Sequence, residues 1–452
     1  MMNRHQEHFI TKYISQTSSL VLAGIQWFFF LFTNTVVVPL SIGHNFQMSP
    51  DAIAASMQHA FLLTGAVCIL QALFGHRYAV MDGPSGLWWG LTLSLTVSAS
   101  SAGMSLERIG GGLAAGFLLA GLTMAVLGRL GAAHLLQKLF TPMVKSAMLF
   151  LMTIQLTMNF FKGMIGYTEF GTFNLPVAAL SVAIAFLVAL IQLKGRGKLG
   201  NYSILIGIVT GWIAYSFVFP GQHAGLSGNS GGSLFTLFPW GVPTWEPGIV
   251  VTAFFVGLVN MTNSITTLST VEKIYETQTT DQQYKRSYVL TGLFSMLSAC
   301  VGVLPFGLFA SSIGFLESTR ILRRAAFIIG AAMLCILGLT PSVTAFFAQI
   351  PPSVGSAVLF VAYLQMFGTA LRTIEGTAFN SKTIYRVALP VLTGVAVMNI
   401  PAEAFQALPI YLIPIISNGL VIGVMVSLIL EKSVNWSKME SASTASKTVT
   451  SP

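Results

Sequence analysis

The chain has 452 residues, of which 54% are apolar and only 8% carry Asp, Glu, Lys or Arg. So few charges cannot clothe a soluble globule of this size, which excludes a soluble enzyme, a disordered chain and a disulfide scaffold. The net charge of +9 comes from basic residues in short clusters between long apolar runs, not from a basic face, so it points to a membrane and not to nucleic acid.

Residues 1–17 are polar and lead into an apolar run of spanning length, which fits a cytoplasmic N-terminus better than a signal peptide. Further spanning runs follow at 52–74, 110–133, 139–161, 173–193 and 201–219. After a polar stretch they resume at 248–270, 286–304, 325–339, 353–371, 385–400 and 408–430. Two more segments are apolar but interrupted. Tyr78 to Ala99 is broken by Asp82-Gly83-Pro84-Ser85-Gly86, and Pro305 to Leu316 by Gly307, Ser311, Ser312 and Gly314. Counting both predicts an all-α polytopic membrane protein of fourteen crossings. The tail, 432–452, is rich in Ser, Thr and Lys and reads as disordered and cytoplasmic.

Charge placement supports that count. With the N-terminus inside, 20 of the 23 basic residues fall on the cytoplasmic side, and Phe219 to Trp245 outside has neither Lys nor Arg. Arg108 and Lys162 lie outside, and Lys145 sits just within crossing five, placed to snorkel to its edge. The cysteines (Cys68, Cys300, Cys335) lie in apolar runs and match no metal-ligand spacing, so they read as packing residues.

The interrupted segments are crossings three and ten, the third of each half of seven. Seven is odd, so the halves are inverted, and broken helices at matching places point to a transporter's binding site. Extended backbone in mid-membrane needs partners that lipid lacks, and two such segments running antiparallel can pair. Half-helices then start near Pro84 and Ser311, Pro84 suiting a helix first turn. Their N-termini, facing one pocket, suit a carbonyl-rich or anionic small molecule.

At these residues the chain resembles the nucleobase–ascorbate transporter family. Gln26-Trp27 with Asn34 to Leu40 resembles the family's Gln-His segment and Val-Pro end, Trp27 replacing His. Gly83-Pro84-Ser85-Gly86-Leu87 resembles its strand-to-helix turn. Asn260 to Thr267 occupies its acidic crossing-eight segment, and Ser311-Ser312-Ile313-Gly314 with Thr319-Arg320 fits the spacing of its signature. The resemblance implies crossings three and ten that are part strand and part half-helix. It implies a core domain at 18–134 and 247–340 and a gate domain at 135–220 and 341–431, with an extracellular loop at 221–246. It also implies a homodimer in the plasma or inner membrane, a nucleobase cargo (xanthine, urate or uracil) and H+ or Na+ as coupling ion, with no other cofactor.

The departures concern chemistry. Asn260 and Ser311 stand where the family usually has acidic or amide side chains, Ser312 replaces its Asn, and Gly86 its stacking Phe. The substrate-binding set implied here is Gln26, Gly83, Ser85, Gly86, Asn260, Ser264, Ala310, Ser311 and Ser312. Asn260 either reads an amide edge of a base or hydrogen-bonds between helices; Gln26 either contacts substrate or braces the strands. Trp88 or Trp89 is a candidate for the stacking face missing at Gly86. Asp82, the one acidic residue inside a core segment away from its ends, either carries a coupling proton or lies in a solvated loop. Without those carboxylates, the same half-helix ends also suit an anion. A membrane enzyme would need a mid-membrane catalytic group, and the seven His lie apart. His59 with Gln58 reads as an interhelical pair.

Overall fold

The computed structural model describes residues 4–101, 103–131, 141–166, 172–195, 200, 202–220, 236–405, 407–409, 412–434 and 436. The first half comprises α1 (Arg4–Asn45), α2 (Pro50–Leu73), β1 (Asp82–Pro84), α3 (Gly86–Ser101), α4 (Leu106–Leu130), α5 (Pro142–Met164), α6 (Leu175–Lys194) and α7 (Ser203–Val218). The second comprises α8 (Pro247–Tyr275), α9 (Asp281–Cys300), β2 (Phe306–Leu308), α10 (Ser311–Thr319), α11 (Arg324–Gly338), α12 (Pro341–Phe347), α13 (Pro352–Thr373), α14 (Ser381–Met398), α15 (Ile413–Ile416) and α16 (Gly419–Ser433). Among the described residues, seven helices are long and apolar enough to cross a membrane alone. These are α1 from Leu20, α2, α4, α5, α6, α8 and α13; α11 and α12 pass together across an 89° bend.

Helix starts follow local chemistry. Ser49, Ser105, Thr141, Asn174, Asn380 and Asn418 each accept a first-turn N–H, and Thr280 with Gln283 forms a capping box at α9. Asn418 explains one departure from the predicted elements: it starts α16 inside the 408–430 run, so that run is broken after the short α15. A second departure is at the N-terminus, where α1 begins at Arg4, ahead of the apolar stretch. Residues 221–235, in the predicted outer loop, and 437–452, in the predicted tail, lie outside the described residues.

The packing is itself two-fold. Advance each crossing by seven, counting round from fourteen to one. The pair α2–α11 then becomes α9–α4, and α1–α11 becomes α8–α4; all four pairs pack extensively. The same operation relates α6–α13 to α14–α5, α7–α13 to α16–α5, and α6–α7 to α14–α16, again all in contact, and turns α5–α13 into itself. These contacts give the seven-plus-seven inverted repeat that the matched interruptions predict.

Glycines permit the closest crossings. A Cβ on Gly116 would sit 2.6 Å from Ala253 Cβ on α8, and one on Gly121 2.8 Å from Gly292 O on α9. Helices in lipid gain little from apolar burial, so backbone approach at small residues is what holds them together.

At one end of the bundle Arg386 of α14 grips Glu431 of α16 with both guanidinium arms, at 2.7 and 2.8 Å, and Thr141 donates to the same carboxylate at 3.0 Å. Both side chains are largely buried. Arg386→Gln is expected to lower stability by about 2 kcal/mol, because a charge-assisted pair is lost and Glu431 is left half-satisfied. Thermal unfolding in detergent checks this; an unchanged midpoint would mean the pair is solvated.

Candidate functional site

The two interrupted crossings meet as predicted. β1 and β2 pair antiparallel, Asp82 opposite Leu308, Gly83 opposite Gly307 and Pro84 opposite Phe306. All six residues are buried. Glycine faces glycine at the centre because the space is taken: a Cβ on Gly83 would meet Met81 and Thr64, and one on Gly307 the Asn260 amide. Pro84 therefore lies in the strand, not in a helix first turn. It has no N–H to give, so Ser85 N continues the ladder by donating to Pro305 O at 2.9 Å.

Beyond the strands the half-helices begin. Ser85 caps α3, its Oγ accepting from Leu87 N at 3.4 Å. Ala310 stands at the start of α10, with no side-chain cap. Both ends carry the partial positive charge of a helix N-terminus.

Asn260 ties these parts together. Its Oδ1 accepts from Ser85 Oγ at 3.0 Å, and its Nδ2 donates to Phe306 O at 2.8 Å. It is fully buried, and its amide is spent on the frame. Of the two readings the residue allowed, bracing is the one the geometry carries. Asn263 supports β2 in the same way, donating to Leu308 O at 3.2 Å. Ser264 is turned back on its own helix, donating to Asn260 O at 3.4 Å. Ser312 is buried and accepts from Met81 N at 3.1 Å.

Other members of the predicted set remain open. Ser311 is exposed and shares an uncovered face of α10 with Gly314, where an added Cβ would touch nothing. Gln26 is buried on α1, and its amide makes no hydrogen bond among the described residues. Its neighbour Trp27 packs against Phe315 of α10 at 4.4 Å, and its Nε1 donates to Ile321 O. Gly86 faces Tyr363 of α13, whose hydroxyl would be 3.2 Å from an added Cβ. Thr319 and Arg320 of the signature end α10: Arg320 holds a left-handed φ of 55°, and its N–H closes the helix on Leu316 O.

The aromatic candidates separate. Trp88 points into the bundle against Phe117, at 5.0 Å. Trp89 packs edge-on against Tyr363 at 5.3 Å and Phe160 at 5.4 Å, making an aromatic wall beside the start of α3. Tyr363 was not foreseen. Its only signal was a hydroxyl midway along the apolar run 353–371.

Asp82 is fully buried and not in a solvated loop. Its Oδ2 accepts from Gln71 Nε2 of α2 at 2.8 Å and Thr291 Oγ1 of α9 at 2.6 Å. His59 of α2 meets Val301 O, just past the end of α9, at 3.1 Å. Lys145 reaches Thr266 Oγ1 of α8 at 2.9 Å.

Residues 18–403 match the model described as Permease family, Xan_ur_permease. Over 93% of its length the chain is 27% identical to YwdJ of Bacillus subtilis (strain 168), a protein named as a candidate purine permease, covering 97% of it. It is 23% identical to the uric acid transporter UacT of Escherichia coli (strain K12), over 93% of this chain and 87% of that one. It is 24% identical to the xanthine permease of Bacillus subtilis (strain 168), over 90% and 92%. Among solved structures, the transmembrane domain of the cyanobacterial bicarbonate transporter BicA is similar in fold, with a TM-score of 0.57 at 14% identity over 91% of this chain and 97% of that one. SLC26A9 is similar with a TM-score of 0.61 at 12% identity, over 91% of this chain and 65% of that one. With the match spanning nearly all crossings and the paired interruptions in place, the chain belongs to this family of membrane permeases, the nucleobase–ascorbate transporters, and not to an enzyme family.

Proposed function

We propose that the protein is a secondary transporter of a nucleobase, with the oxidised purines xanthine and urate as the first candidates and the pyrimidine uracil next. The observation that carries this is the union of two half-helix starts with the aromatic wall of Trp89, Phe160 and Tyr363. An oxidised purine is flat, and it presents carbonyl oxygens to N–H donors and ring N–H groups to acceptors. The half-helix starts answer the carbonyls, the open Gln26 amide and Ser311 hydroxyl answer the ring edges, and the wall answers the face. Relatives named for uric acid and xanthine agree with that chemistry.

Asn260, by contrast, already has both polar atoms of its amide engaged in the frame. In this reading recognition relies on backbone and neutral side chains where the family usually uses carboxylates. Movement of crossings one to four and eight to eleven against the rest, cation coupling, a homodimer and a plasma or inner membrane site with cytoplasmic termini belong to the same proposal. The resemblance and the charge asymmetry support them. An anion cargo would use the same helix ends but leave the aromatic wall idle, and likeness of fold to anion carriers does not carry a substrate.

The test is thermal stabilisation of the detergent-purified protein against purines, pyrimidines and small anions. A ligand at a hundredfold excess over its Kd adds about 2.7 kcal/mol. A shift with anions only would sink the purine reading. Tyr363→Ala is expected to weaken xanthine binding about 10- to 100-fold, since stacking on a base contributes about 1–3 kcal/mol, while Tyr363→Phe retains most of it. Equal losses in both variants, read by titration calorimetry, would move the effect to the hydroxyl.

A further inference from the structure

Asp82 presents a problem that the substrate site does not solve. It lies on β1 with no solvent exposure, beside α2 and α9. Its Oδ2 is held by the Gln71 amide and the Thr291 hydroxyl. Gln71 Nε2 also donates to Ser287 O at 3.1 Å and lies 3.0 Å from Thr291 Oγ1. The Cys68 thiol donates to the Asp82 main-chain oxygen at 3.3 Å. The other oxygen, Oδ1, is buried and makes no hydrogen bond among the described residues, and the same holds for Gln71 Oε1.

No cation balances the group. Among the described residues the ion pairs are Arg108–Glu246 and Arg386–Glu431, neither at β1. The titratable groups near it are Cys68 on the same face of α2 and, behind that, Cys335 on α11; α9 offers Ser287 and Thr291, and β2 offers Leu308. A lone carboxylate charge buried this deeply is strongly unfavourable unless something neutralises it.

We propose that Asp82 is the proton site of the transport cycle, with Oδ1 as the atom that gains and loses the proton. This rests on the transporter reading above. The choice of a proton over a metal ion follows from the neighbours. Gln71 and Thr291 both turn N–H or O–H groups toward the carboxylate, whereas a sodium ion needs several oxygen lone pairs turned toward itself. One free lone pair suffices for a proton. The donors stabilise the anion and the burial stabilises the acid, so neither form is locked in. On one side of the membrane Oδ1 takes a proton and forms an O–H bond; on the other that bond breaks and the proton leaves. Asp82 opens β1 and Ser85 follows its last residue, so a change of charge at Asp82 is felt directly at the cap of α3 and at Asn260. It would give this chain a coupling group outside crossings eight and ten.

The experiment uses the full-length protein in liposomes with radiolabelled xanthine and urate. Three signals are read: exchange of internal for external base, accumulation driven by an imposed inward proton gradient, and base-dependent proton entry reported by a trapped pH dye. The wild type is expected to show all three. Asp82→Asn is expected to keep exchange, which moves no net proton, and to lose accumulation and proton entry at least tenfold. Asp82→Glu is expected to restore both with a displaced pH optimum. Gradient-driven accumulation by Asp82→Asn at the wild-type level overturns the proposal, as does a wild type that exchanges base but responds only to sodium. If Asp82→Asn is inactive in exchange, the glutamate variant decides: an undisplaced pH optimum overturns the proposal. A wild type that exchanges neither base overturns the purine reading itself.

Discussion

Asn260→Ala is expected to abolish xanthine uptake and to lower the unfolding midpoint at the same time. The alanine removes the acceptor of Ser85 Oγ and the donor to Phe306 O, both in a site with no water-accessible surface. Each orphaned buried group costs about 1–3 kcal/mol, so the loss is about 2–6 kcal/mol in total. The damage falls on both crossovers together, because one amide holds the end of β1 and the edge of β2. A residue that only touched substrate would behave otherwise: binding would fall while stability stayed. Ser311→Ala is the matched comparison, since Ser311 is exposed and bonds nothing in the frame. It is expected to weaken binding without moving the midpoint. Uptake in cells together with thermal unfolding of the purified variants separates the two roles. A stable Asn260→Ala protein that merely binds poorly would return Asn260 to the substrate.

Gly292→Val is expected to prevent accumulation of folded protein. A Cβ at Gly292 would lie 2.6 Å from Gly121 O and 2.7 Å from Ala125 N, both main-chain atoms of α4. A flexible side chain could turn aside, but main-chain atoms of a packed helix cannot. The helices must separate, and over-packing of this kind costs about 1–3 kcal/mol or more even where side chains can adjust. The effect extends past the contact. Thr291 is the next residue, and its hydroxyl bond to Asp82 at 2.6 Å depends on where α9 sits. Fluorescence-detected size exclusion of a tagged variant reads the outcome. A monodisperse peak at wild-type height would show that α4 and α9 tolerate a wider spacing.

Much of the frame was legible in the sequence because lipid permits so few arrangements. Gly, Pro and Ser inside an apolar run of spanning length require irregular backbone, and irregular backbone in lipid requires a partner. Two such runs in matching places could pair only with each other, and Gly83 opposite Gly307 is that pairing. What sequence did not yield is which polar groups are consumed and which are free. Asn260 and Ser311 were equal candidates, yet one is spent on contacts 175 and 46 residues away while the other is open. The grip on Asp82 joins residues 209 apart, and Tyr363 approaches Gly86 from a crossing in the other half. Helical periodicity tells which residues share a face, but not what that face meets. Pro84 was misplaced for a related reason. Its fixed φ suits a strand edge as well as a helix start, and the deciding fact was Phe306 on the opposite strand.

The lengths of the outer helices reach beyond the protein itself. α7 has 16 residues, α14 has 18 and α16 has 15. At 1.5 Å per residue these span about 24, 27 and 22 Å, against about 30 Å for the hydrocarbon layer. Val209, Ile213 and Phe217 on α7, and Leu389 and Leu392 on α14, are exposed apolar side chains on these helices. A span this short is met by local thinning of the bilayer, by flanking side chains that snorkel or by association of copies, at a fraction of a kcal/mol for each ångström of mismatch. That elastic load makes acyl-chain length a variable of the transporter's own energetics. A bilayer of shorter lipids relaxes the flank, and a thicker one presses its helices to straighten or to seek one another's shelter.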